Sequence, residues 1–149
     1  MSAQVNEPPR WPADAVAALL LRCVGMLLCC AAFAVLIPTE WMVAIHRILG
    51  LGEMPRGPLV EYLTRSLSAL YAAHGGCMLV ASSDVRRMRP MVIYLATIGI
   101  VIGAIMLAID LWAGMPWYWT LAEGPPTALM SGVTLYFARR IDDMQERRP

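Results

Sequence analysis

From Met91 to Ile109 the chain runs without a charged residue, and from Ala15 to Ile37 it carries only Arg22. About 20 such residues, each rising ~1.5 Å in a helix, span the ~30 Å hydrocarbon core of a bilayer. Runs of this kind constrain a short chain severely, because only helices and closed barrels satisfy their own backbone in lipid. The sequence has 149 residues, 58% hydrophobic and 15% charged. Soluble domains sit near roughly 45–50% and about 25%, so the surplus lies in the runs. The expected class is all-α, one helix bundle in a membrane. A net charge of +1 offers no field to recruit a polyanion, and no nucleic-acid partner is expected.

Two further segments are less pure. Pro58 to Ser82 is long and apolar, yet it holds Glu61, Arg65, Tyr71 and His74. Ionisable groups at membrane depth are costly and point to function or assembly. Glu61 and Arg65 are four apart, share a helical face and are expected to pair. Ser68, Ala72 and Gly75 continue that face as a small-residue stripe suited to helix packing. Tyr71 and His74 lie three apart on an adjoining face and are expected to hydrogen-bond. The last run, Thr127 to Ala138, is too short alone. Glu123-Gly124-Pro125-Pro126 is expected to break the chain, with a fourth span over 125–140, Trp117–Ala122 at the outer surface, and a re-entrant segment as the alternative.

The connections follow from Pro, Gly and aromatic residues. Pro38 ends the first run. Thr39 to Leu49 reads as an amphipathic helix in the interface plane, capped by Thr39, with Trp41, Ile45, Ile48 and Leu49 on its apolar side. Trp112 and Trp117-Tyr118-Trp119 read as an interfacial belt. Gly99 and Gly103 form G-x-x-x-G, which lets helix backbones approach closely. All twelve basic residues are arginine. Arg10, Arg86, Arg87, Arg89, Arg139, Arg140, Arg147 and Arg148 fall on one side of the expected spans, and only Arg47 and Arg56 on the other. The positive-inside rule then places both termini in the cytosol and requires an even number of crossings. The expected fold is a four-transmembrane-helix bundle with a short interfacial amphipathic helix between helices 1 and 2. Its spans are about 15–37, 58–82, 91–112 and 125–140, with cytosolic tails 1–14 and 141–149, in the inner membrane.

Chemistry is thinner. The candidate polar cluster is Glu61, Arg65, Asp110, Tyr71, His74 and Glu123, of which Glu61, Arg65, Asp110 and Glu123 are expected at the outer face with Glu40, His46 and Glu53. Two histidines are the minimum for bis-His haem, but His46 lies in the connector and His74 ~24 Å along its helix from Pro58. Cys23, Cys29, Cys30 and Cys77 sit in apolar runs without C-x-x-C and read as small hydrophobes. Phosphate-loop, zinc-protease and nucleophile-elbow motifs do not occur in the sequence. No catalytic residue, cofactor or metal is therefore expected. The leading functional reading is a non-catalytic assembly or interaction subunit, partnered by lipid and by another membrane protein or a second copy. A small-solute or ion-coupled transporter with an outward-facing polar cleft is the first alternative, and a membrane redox subunit the second.

Three stretches carry a resemblance: W-M-x-x-I-H from Trp41 to His46, R-S-L-S-A-L-Y-A-x-H-G from Arg65 to Gly75, and G-M-P-W-Y-W-T from Gly114 to Thr120. Over Ala15 to Arg140 the chain resembles a group of small uncharacterised bacterial four-helix integral membrane proteins. The resemblance implies the four-helix membrane bundle and brings no activity or site.

Overall fold

The computed structural model describes residues 12–143. Arg10, Arg147, Arg148 and most of the expected tails lie outside them. The described residues form six helical segments and no strand. Helix α1 is Ala13–Cys29 and α2 is Ala32–Leu36. They follow one path, because Ala31, Phe33 and Ala34 donate to carbonyls three residues back across the joint. Ile37 is extended at φ −69° and ψ 149°, the conformation forced on a residue before proline. Helix α3 is Thr39–Ile48. Pro38, rather than Thr39, holds its N-cap position, and no side chain caps it. Thr39 is drawn into the first turn because Pro38 already has the extended backbone that an N-cap requires.

Helix α4 is Pro58–Ser83, α5 is Arg89–Ala113 and α6 is Trp117–Asp143. Gly114 ends α5 in the left-handed conformation, φ 68°, where its N–H and that of Met115 close the last turn. The expected break at Glu123–Pro126 does not occur: α6 runs unbroken through Pro125 and Pro126. Two prolines remove two donors from the helix, a loss that tertiary packing must offset. That packing is visible at Gly124, where a Cβ would stand 2.7 Å from the carbonyl oxygen of Gly103. The α5 backbone lies against α6 at the residue just before the prolines.

Two antiparallel hairpins result. In the first, contacts run in opposite directions along α1–α2 and α4: Arg22 to Ser82, Cys29 to Ala72, Val35 to Arg65. Gly25 and Gly75 meet backbone to backbone, with a Cβ on Gly75 only 2.6 Å from the Gly25 oxygen. In the second hairpin Arg89 reaches Ala138, Gly99 lies on Ser131, and Gly103 on Gly124 and Ala128. The expected small-residue stripes thus serve contacts within the chain. The hairpins join mainly through α1 and α6, while α4 touches α5 little. Their shared core gathers at one end, around Ala17, Leu21, Ala81, Val85, Val92 and Ala138.

Two stretches, Ala13–Leu36 and Arg89–Ala113, are long and apolar enough to cross a membrane. Only 11% and 28% of their most apolar windows are buried, which separates them from core helices of a soluble protein. Leu27, Phe33, Ile105 and Leu129 are all exposed. A continuous apolar exterior of this kind suits lipid contact. Helices α4 and α6, with 26 and 27 residues, match α5 in length but are more polar.

Candidate functional site

Asp110 sits in the last turn of α5, on the face that also buries Gly99 and Gly103. Its side chain follows from helical spacing, since seven residues beyond Gly103 is two turns along the same stripe. The glycine contact draws α6 onto that stripe, and Glu123, beside Gly124, comes with it. A Cβ on Gly124 would stand 2.8 Å from the Leu107 nitrogen, so Glu123 and Asp110 each lie within a turn of the same α5–α6 contact. Glu123 accepts a 2.6 Å hydrogen bond from the indole Nε1 of Trp119, one turn earlier on α6. The two helices of the second hairpin therefore bring a pair of carboxylates to one crossing.

The pair has no basic partner among the described residues. Asp110 is only 6% exposed, and its Oδ2 has no hydrogen-bond partner. A carboxylate oxygen shielded from water and left without a donor is among the costliest arrangements in a protein. Two like charges close together add to that cost. Taking up a proton or another cation relieves that cost.

Arg65 does not neutralise it. The expected Glu61–Arg65 pair does not form: Arg65 donates through Nη1 to the Val35 carbonyl and through Nη2 to the Ile37 carbonyl, the latter at 3.1 Å. The physical reason lies in Pro38. A proline cannot donate, and the extended residue before it breaks the helical ladder, so the carbonyls at the end of α2 lack N–H partners. A guanidinium with five donors meets that need better than a half-exposed glutamate one turn away. Glu61 has no ion-pair or hydrogen-bond partner among the described residues.

His74 is half-buried, and the expected bond to Tyr71 is absent among the described residues. Of the six cluster residues, Asp110 and Glu123 come to the same crossing, while Arg65 is engaged at the end of α2. Sequence reasoning missed Trp119 as a partner of Glu123. The signal was their i, i+4 spacing, hidden by the expectation that no helix continues through Pro125-Pro126. It also missed the Asp14–Arg86 ion pair, 2.8 Å, which ties the start of α1 to the turn after α4.

At the connector end His46 Nδ1 lies 3.2 Å from the Gly52 oxygen, Arg47 pairs with Glu53 in solvent, and the Tyr118 hydroxyl donates to the Leu49 carbonyl at 3.0 Å. All four cysteines are free. Compared with known protein families, curated proteins and solved structures, the chain matches none.

Proposed function

We propose that this chain is a four-crossing integral membrane protein of the cytoplasmic membrane that binds a small cation at Asp110 and Glu123, as part of an ion-coupled carrier. The crossings are α1–α2, α4, α5 and α6, with α3 lying in the outer interface. The lengths of α4 and α6 support this: 26 and 27 residues reach about 40 Å. Arginine placement supports the orientation. Arg89 bonds to Ala138 and Arg86 to Asp14, so the arginines after α4 and near the end of α6 share one end. Arg47 and Arg56 belong to the opposite end. Positive-inside asymmetry then sets that shared end, and both termini, in the cytosol.

The single observation that carries the cation reading is the buried, partnerless Oδ2 of Asp110 beside Glu123. In proteoliposomes, flux of sodium, potassium or protons is expected above protein-free controls. Asp110→Asn and Glu123→Gln should each lower it at least tenfold while the fold is retained. Flux that is absent, or unchanged in both variants, rejects the reading.

A second reading, a non-catalytic assembly subunit, draws on Gly76 of α4 and Gly132 of α6. Neither has a neighbour where its Cβ would be, so each leaves room for another helix to approach. Co-purification of a partner or a stable oligomer in mild detergent supports it; a monomer without partners counts against it.

A further inference from the structure

Asp110 Oδ2 is closed to water and has no hydrogen-bond partner, and the residue as a whole is 6% exposed. A ligand for that oxygen must reach it without a shell of water. The helices leave little room for one. A Cβ on Gly103 would stand 2.7 Å from the Gly124 oxygen, and one on Gly124 would stand 3.0 Å from the Leu107 Cβ. Helices α5 and α6 are thus in close contact up to the turn before Asp110.

A hard metal cation needs about six or more oxygens around it, at roughly 2.0–2.6 Å. Among the described residues, no three histidine, cysteine, aspartate or glutamate side chains form a group that could hold a metal ion. Backbone oxygens do not make up the number. Pro125 and Pro126 free the carbonyls four residues earlier, on Leu121 and Ala122, and both of those residues are exposed rather than buried against α5. A proton needs neither room nor a shell. On one oxygen it turns a buried charge into a neutral acid, which costs far less to keep from water. Carboxylates at membrane depth serve as proton relays for this reason.

No neighbouring group removes the need. On α6, Glu123 already has the indole of Trp119 as a donor, and the Tyr118 hydroxyl is turned to Leu49. Helix α4, which touches α5 little, carries Glu61, Tyr62, Arg65, Tyr71 and His74. None of them bonds or ion-pairs with Asp110 among the described residues. Asp110 is therefore the member of the pair without a donor.

We propose that the cation taken by this site is a proton, carried on Asp110 as a neutral carboxylic acid within the α5–α6 crossing. The proton comes from water and converts the carboxylate to the acid with no other bond changed. Its binding follows from the buried oxygen alone, while its passage across the membrane rests on the carrier reading above.

Infrared spectroscopy of the full chain in proteoliposomes at neutral pH tests this. The carbonyl band of a protonated carboxylic acid is expected. In the unaltered protein, carbon-13 aspartate should shift that band and carbon-13 glutamate should not, a result that requires no variant to fold. Asp110→Asn should remove the band, and Glu123→Gln should leave it. Replacing choline in the buffer by sodium or potassium should not diminish it. A band that is absent at neutral pH, that follows the glutamate label, or that sodium or potassium abolishes overturns the proposal. Flux tells this result apart from the carrier reading. The aspartic acid band without any flux upholds the proton on Asp110 and rejects the carrier. Flux that follows sodium or potassium, without the band, keeps the carrier and rejects the proton.

Discussion

The two hairpins use the same crossing device and treat their polar groups differently. In each, a glycine from one helix meets a glycine from the other, Gly25 with Gly75 and Gly103 with Gly124. In the first hairpin the arginines are matched, while Glu61 and Asp14 Oδ1 have no partner among the described residues. Arg65 serves the carbonyls at the end of α2, and Arg86 serves Asp14. Around the second, Asp110 is buried with an oxygen unmet, and Glu123 has only an indole donor. Each hairpin leaves one carboxylate oxygen unmet, but Asp14 is 26% exposed and paired with Arg86, whereas Asp110 is 6% exposed with no ion-pair partner among the described residues. The contrast separates polar residues that hold the fold from polar residues that the fold carries at a cost. Residues of the second kind are where function is sought.

The largest effect that would break this comparison comes from the crossings. Gly75→Val and Gly103→Val each place atoms within about 2.7 Å of backbone on the facing helix, where no side chain can move aside. Each should destabilise by about 3 kcal/mol or more, the upper part of the range for overpacking. Unfolding in detergent, followed by circular dichroism, measures this, with Gly76→Ala as a control that should fold normally. Equal tolerance of all three substitutions would show that the hairpins are not held by these contacts.

Next in size is Arg65→Met, which leaves the Val35 and Ile37 carbonyls without their donor. A loss of about 2–3 kcal/mol is expected, since a buried acceptor left unmet costs ~1–3 kcal/mol. Glu61→Gln should do little. A double-mutant cycle should return a coupling below about 0.5 kcal/mol, as for residues without a shared interaction. A larger coupling restores the i, i+4 pair.

The smallest effect sharpens the contrast most. Asp110→Asn removes a buried charge and is expected to leave stability unchanged or raise it by about 1 kcal/mol, while flux is lost. A marked fall in the unfolding midpoint would return Asp110 to the class of groups that hold the fold.

Much of the fold was legible because helix period and apolar length are local quantities. The run from Met91 to Ile109, the stop at Pro38, the helix beginning at Thr39 and the stripe through Gly99 and Gly103 all follow from neighbours a few residues apart. Pairings were less legible because local spacing only nominates a partner. Glu61 is the neighbour of Arg65 in sequence, but carbonyls stranded by Pro38, some thirty residues earlier, compete for the same guanidinium and hold it. Tyr71 and His74 share a helix, yet no hydrogen bond joins them among the described residues.

The sequence by itself determined that the chain is helical, that two stretches suit a bilayer, and that its arginines segregate along the chain. Those features depend on composition along single stretches of chain, which no partner helix can change. The tertiary structure alone decided that α6 continues through two prolines, that Arg65 serves α2, and that Asp110 and Glu123 share one crossing. Each of those outcomes is a competition for hydrogen bonds or space between segments distant in sequence, and only packing brings the competitors within reach.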